Sequence, residues 1–64
     1  MEQLDIWQTA MLLISQYGEG ASFNAAQRAE LLLAKGDAMG FRVWVKVLNA
    51  IEHLESRKPH GTVN

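Results

Sequence analysis

The apolar residues of the chain fall into three segments with helical spacing, separated by two breaks that contain glycine. In the first segment they recur at the i, i+3, i+4 and i+7 positions of one helix face. This stripe consists of Trp7, Ala10, Met11, Ile14 and Tyr17, and it is widened by Ile6 and Leu13. The pattern predicts a first helix from about Gln3 to Tyr17, with a start near Asp5 if Asp5 and Gln8 form a capping box, or alternatively one nearer Glu2. Gly18 follows this helix and suits the left-handed conformation that commonly ends one.

The second segment predicts a helix from about Phe23 to Lys35, after a short loop over residues 18–21 and with Ser22 as its N-cap. The inward face of this helix is expected to be rich in alanine, which lets two helix backbones approach closely. Its residues are Ala25, Ala26, Ala29, Leu32 and Leu33. Leu31 falls on nearly the opposite side, since successive residues turn by about 100°.

The third segment predicts a long helix from Asp37 to about Ser56, which corresponds to roughly 30 Å. It is separated from the second helix by Lys35-Gly36-Asp37, where Gly36 suits the position after a helix and Asp37 suits an N-cap. Gly40 lies in the first turn, where a glycine is expected to permit a close contact with a neighbouring backbone.

A strand competes with this helix over residues 41–47, where β-branched residues partly alternate with other types. The apolar spacing continues as a helix would to Leu48, Ile51 and Leu54, and this favours the helix. Lys58-Pro59 is predicted to stop it, because the residue before proline avoids the α region. The sequence therefore predicts an all-α domain over residues 1–58, a three-helix bundle with a long third helix, and a flexible C-terminal tail over residues 59–64.

Two adjacent apolar stripes cover roughly 200° of the third helix, where a surface helix needs about 100°. The first stripe consists of Phe41, Trp44, Val45, Leu48 and Ile51, and it turns polar at Glu52 and Glu55. The second stripe consists of Val43, Val47, Ala50 and Leu54. Either the two shorter helices cover both stripes, or one stripe stays open to a partner. Because Leu12 and Leu31 also fall outside the main stripes of their helices, we predict a homodimer with the second stripe as its interface.

The remaining arc of the third helix is polar and mostly cationic. Arg42, Lys46, Asn49 and His53 recur at i, i+4, i+7 and i+11, and Arg57 lies one turn further on. Such a stripe is either the solvated side of an amphipathic helix or a site for phosphates or for an acidic protein surface. A helix-turn-helix comparison is weakened because the third helix carries mostly apolar residues where base-reading side chains would be needed. Nucleic acid is therefore the alternative partner, after another protein.

Composition and charge argue against several classes of function. The chain has 64 residues, which make at most one domain and one of marginal stability without a disulfide, metal or partner. It contains no cysteine, and its two histidines, His53 and His60, have no nucleophile or metal-ligand set beside them in the sequence. A net charge of −1 argues against a dedicated nucleic-acid binder. We expect no cofactor, no metal and no enzymatic activity.

The sequence also bears on location. No apolar run approaches the roughly 20 residues that span a bilayer. The acidic N-terminal residues, Met1 to Asp5, lack the basic region of a signal peptide. A cytoplasmic protein without membrane contact is expected.

A set of residues between Ile6 and Leu54 forms a pattern that is moderately specific as a whole. It consists of Tyr17-Gly18, the run from Ala26 to Asp37, and then Gly40, Trp44, Val47-Leu48, Ala50-Ile51 and Leu54. The pattern resembles a family of small helical proteins of unknown function from alphaproteobacteria. The resemblance implies a bacterial protein, no catalytic residues, and structural roles for Gly36, Asp37, Gly40 and Trp44. It leaves Arg28 either paired with an acid such as Asp37 or serving a partner site.

Overall fold

The computed structural model describes residues 3–56 of the chain, with side chains from Asp5 onward. Across this range every residue outside the turn of Lys35, Gly36 and Asp37 is helical, and no strand occurs. The all-α class is therefore confirmed, and the competing strand over residues 41–47 is wrong. The predicted stop at Lys58-Pro59 and the predicted tail over residues 59–64 lie outside the described residues.

Within residues 3–56 the backbone forms two uninterrupted helical runs. The first run comprises α1 (Gln3–Tyr17), a 3-10 turn (Gly18–Gly20) and α2 (Ala21–Ala34), and the second run is α3 (Ala38–Ser56). The predicted bounds of the first helix match α1. Gly18 has a φ of 57°, so the helical path changes direction there without a separate loop. Three helices that are fully separated by loops are therefore not what the structure shows.

The junction between α1 and α2 differs from the prediction of a loop over residues 18–21 followed by a Ser22 cap. Helix α2 begins at Ala21 with Gly20 in the N-cap position, and no side chain caps it. The Ala21 N–H instead donates to the Gly18 carbonyl oxygen, which continues the hydrogen bonding of the 3-10 turn directly into α2. Because this backbone bond already satisfies a donor at the start of α2, a serine cap is not needed there.

The turn between α2 and α3 follows the prediction closely. Gly36 has a φ of 83° and follows the Lys35 C-cap. The Gly36 N–H donates to the Leu33 carbonyl oxygen at 3.0 Å, and the Asp37 N–H donates to the Leu32 carbonyl oxygen at 2.9 Å. These two bonds define a Schellman motif, which needs a left-handed residue and therefore favours glycine.

Asp37 caps α3, as predicted. Its Oδ1 accepts a hydrogen bond from the Gly40 N–H at 2.9 Å, and its carbonyl oxygen accepts one from the Phe41 N–H at 3.0 Å. The predicted reason for Gly40 is wrong, however. A Cβ at position 40 would lie 2.6 Å from Asp37 Oδ2, so glycine accommodates the capping carboxylate and not a neighbouring backbone.

The core is built mainly from small residues. Its buried members are Ile6, Ala10, Leu13, Ala21, Ala25, Ala29, Val47, Ala50 and Ile51. Five of these nine are alanines, and the largest fully buried side chains are Ile51 and Val47. Helix α3 packs against both α1 and α2, and it does so through residues small enough for the backbones to come close.

The inward face of α1 is displaced from the predicted stripe. Ala10 is fully buried, with Ile6 and Leu13 beside it, whereas Met11 and Tyr17 are exposed. The face that turns inward is therefore centred on the alanine, and Met11 lies about 100° away from it around the helix.

The inward face of α2 is predicted in part. Ala25 and Ala29 are buried as expected, and Leu31 is exposed, as its position away from the stripe predicts. Leu33 is also exposed, against the prediction. It lies in the last turn of α2, beyond Ala25, which is the last α2 residue of the main hydrophobic cluster.

Helices α2 and α3 form an antiparallel hairpin. In the half of the hairpin away from the turn, Ala21 and Ala25 of α2 share a cluster with Val47 and Ile51 of α3. At the other end, the turn of Lys35, Gly36 and Asp37 joins the two helices. Among residues 3–56, no helix combines the length and apolar character needed to cross a membrane.

Candidate interaction surfaces

Two of the four residues in the predicted dimer interface on α3 are buried in the monomer. Val47 is fully buried and Ala50 is 5% exposed, and both belong to the core of the monomer. Leu54 is half-buried and packs against the same cluster, and Val43 is half-buried. The second stripe is therefore the face of α3 that α1 and α2 cover, so Val47 and Ala50 are not accessible to another folded copy.

The first stripe of α3 lies at the edge of the core. Phe41, Trp44, Val45 and Leu48 are all half-buried, so each keeps part of its side chain at the surface, and Trp44 and Leu48 also pack against the core cluster. At about 100° per residue, Trp44, Leu48, Phe41 and Val45 span an arc of roughly 100° beside the core face. Of the predicted first stripe, Ile51 alone is fully buried. The stripe predicted to form the dimer interface thus supplies Val47 and Ala50 to the core, whereas four of the five residues of the first stripe are half-buried.

Arg28 borders the first stripe of α3 from α2. Its guanidinium carbon lies 5.2 Å from the centroid of the Trp44 ring, within the range of a cation–π contact. Its Nε donates to Asn24 Oδ1 at 3.0 Å, one turn earlier on the same helix. The predicted pairing of Arg28 with Asp37 is replaced by these two contacts, since the Asp37 carboxylate caps α3.

We call the surface formed by Arg28, Leu31, Phe41, Trp44, Val45 and Leu48 the tryptophan flank. Leu31 lies one turn after Arg28 on the same side of α2, and it is 61% exposed. The i, i+4 spacing of Asn24 and Arg28 is visible in the sequence and predicts their contact. No sequence pattern predicts the contact of Arg28 with Trp44, because that contact depends on how α2 and α3 pack.

The cationic stripe consists of Arg42, Lys46, Asn49 and His53, and the structure places all four on one exposed side of α3. At about 100° per residue they span about 60° of the helix, with Asn49 and Arg42 next to Val45 of the tryptophan flank and Lys46 nearly opposite Trp44. The structure also shows a contact that the sequence does not predict. The His53 ring meets the Trp7 ring edge-on, with centroids 5.7 Å apart and an angle of 72° between their planes. The end of the cationic stripe therefore adjoins α1.

Further large apolar side chains are exposed elsewhere on the described surface. They are Met11 and Leu12 on α1, Tyr17 at its end, Phe23 and Leu33 on α2, and Met39 in the first turn of α3. Met39 is the most exposed of them at 76%. These residues add to the apolar area that the monomer leaves in contact with water.

Within residues 5–56, no polar or charged residue is buried. Nor does this range contain a group of three or more His, Cys, Asp or Glu residues placed to hold a metal ion. The chemistry that the described residues do present lies on surfaces, namely the tryptophan flank and the cationic stripe.

No protein-family model, curated protein or solved structure matches the chain. The resemblance to the alphaproteobacterial family therefore stays a prediction.

Proposed function

We propose that this chain is a small non-enzymatic interaction protein that acts as a homodimer through apolar helix surface. One observation carries the proposal: five of the nine buried residues are alanines, whereas seven large apolar side chains of the described residues are exposed. Phe23, Met11 and Met39 are among the exposed ones, and both tryptophans are half-buried at the edge of the core cluster.

This distribution is unfavourable for a small domain that folds on its own. Burying one Leu, Phe or Met side chain contributes about 1.5–3 kcal/mol, and aromatic side chains offer the largest areas. A domain of 64 residues is only marginally stable. Each large apolar side chain that stays in water therefore withholds stabilisation that the monomer needs. A second copy that covers part of this surface recovers the lost burial and accounts for the composition of the surface.

The mass of the native protein tests the proposal directly. Light scattering after gel filtration, repeated from low to high micromolar protein, is expected to approach twice the monomer mass of 7.2 kDa. Sedimentation velocity over the same range gives the dissociation constant. A mass of 7.2 kDa that persists at the highest concentration would overturn the homodimer.

A second candidate function is binding to nucleic acid through the cationic stripe. The observation in its favour is that Arg42, Lys46, Asn49 and His53 are all exposed on one side of one helix. Two cations that contact phosphates would give an affinity that falls with salt, with a log–log slope near −0.9 per phosphate on duplex DNA. The double substitution R42E/K46E is expected to abolish such binding. Absence of binding to both duplex and single-stranded probes at low salt would end this candidate.

A further inference from the structure

We propose that the second copy docks on the tryptophan flank, with the two α3 helices antiparallel about a two-fold axis. This inference rests on the proposed homodimer and names the face that forms it. The centre of the interface is apolar and aromatic, through Phe41, Trp44, Val45 and Leu48 of each copy. Leu31 and the Arg28 guanidinium of α2 lie along one edge.

The composition of the flank favours a protein interface over a solvated surface. Trp44 and Arg28 are of the residue types that most often dominate binding energy at protein interfaces. The guanidinium is held in place by the Trp44 ring and by the bond to Asn24, so little freedom is lost when it meets a partner. Leu31 is the most exposed apolar residue beside this pair.

The distribution of charge identifies the occupant as a second copy of this chain. Arg28 and Lys35 lie along the α2 edge of the flank, from its middle to the turn. Glu52 and Glu55 lie on the same side of α3 as Trp44, within about 80° of it, near the opposite end. An antiparallel two-fold arrangement brings the cations of each copy towards the glutamates of the other.

The tryptophan flank lies at the centre of a larger face formed by α2 and α3, and the size of that whole face fits this occupant. Helix α3 has 19 residues and therefore rises about 28 Å. With α2 packed beside it at about 8–10 Å, the two helices present a face of roughly 500–600 Å² in projection. Because side chains project from the helices, the accessible area of this face exceeds its projected area and approaches the ~800 Å² per partner of a standard interface. A net charge of −1 per chain adds little repulsion between copies.

The test compares two leucines that differ by two positions on the same helix. Leu31 is 61% exposed and borders the tryptophan flank, whereas Leu33 is 55% exposed and points to the other side of α2. L31Q is expected to raise the dimer dissociation constant about tenfold or more, and L33Q is expected to leave it unchanged. Circular dichroism at low concentration verifies that both variants stay helical.

A charge-reversal pair provides an independent arm that does not depend on apolar burial. K35E and E52K are each expected to weaken the dimer, and the double variant K35E/E52K is expected to restore it. K46E, a cation on the opposite side of α3, serves as the matched control. Rescue by the double variant excludes simple unfolding as the cause of the single effects.

The outcomes separate the two proposals. A native chain that is monomeric at every concentration would overturn the homodimer itself. A dimer that L33Q weakens and L31Q does not, or one without rescue in the double variant, would overturn the placement on the tryptophan flank and leave the homodimer standing.

Discussion

The carboxylate of Asp37 occupies the space that a side chain at residue 40 would need. Its Oδ1 accepts the Gly40 N–H at 2.9 Å, and its Oδ2 lies 2.6 Å from where a Cβ on residue 40 would be. The N-cap and the glycine three residues later therefore form one unit. D37A is expected to lower the free energy of unfolding by about 1 kcal/mol, and D37N by much less, because asparagine keeps the acceptor oxygen. Urea denaturation of both variants measures the difference.

The contact between Asp37 and Gly40 predicts that G40A changes the free energy of unfolding in opposite directions in the native chain and in the D37A variant. Alanine is normally favoured over glycine in a helix by about 1 kcal/mol. In the native chain, G40A is expected to destabilise, because the new Cβ displaces the capping carboxylate of Asp37. In the D37A background, G40A is expected to stabilise by about 0.5–1 kcal/mol. A double-mutant cycle gives the coupling, and additive effects would show that the two residues do not interact.

Local signals in the sequence were sufficient for the turn between α2 and α3. The positions of Gly36 and Asp37 follow from backbone rules that involve only a few neighbouring residues. The start of α2 was mispredicted, since Ser22 is a good N-cap in isolation. The 3-10 turn joins α1 to α2 through a backbone bond from Ala21 to Gly18, and no local rule favours this over a serine cap.

The choice between the two apolar stripes of α3 could not be made from the sequence. Helical periodicity defines both stripes but does not say which of them α1 and α2 will cover. In the structure the covered stripe contains Val47 and Ala50, and it faces alanines such as Ala10 and Ala25. Small residues permit the closest helix approach, so matching alanines across the helices is the signal that would have identified the core.

Val47 and Val45 have the same side chain and are two residues apart, but Val47 lies in the core and Val45 lies in the tryptophan flank. Val47 is fully buried, so V47A is expected to lower the free energy of unfolding of the monomer by about 2 kcal/mol or more. Val45 is half-buried on the outward face, and V45A is expected to cost less than 1 kcal/mol in the monomer. Denaturation at low concentration, where the monomer dominates, compares the two. Equal losses would contradict the assignment of Val47 to the core.

Ala25 and Ala26 give a matched pair for the close packing of α2. Ala25 is fully buried in the cluster shared with α3, and Ala26 is half-buried. A25L is expected to destabilise by about 1–3 kcal/mol, because added methylenes must displace the neighbouring helix. A26L is expected to be tolerated with a smaller loss. Thermal unfolding followed by circular dichroism distinguishes the variants, and a tolerated A25L would mean that α2 and α3 are not in close contact there.

Arg28 links the fold to the proposed interface, and its two contacts can be separated by substitution. R28K keeps the positive charge near Trp44 but loses the Nε donor to Asn24, whereas N24A removes the acceptor and keeps the guanidinium. If the stacked guanidinium matters for docking, N24A is expected to weaken the dimer slightly and R28K more strongly, because lysine lacks the planar group that lies over the ring. In a W7F background the emission of Trp44 reports the contact alone. R28K that leaves both the emission and the dimer constant unchanged would show that charge, and not stacking, is what the flank uses.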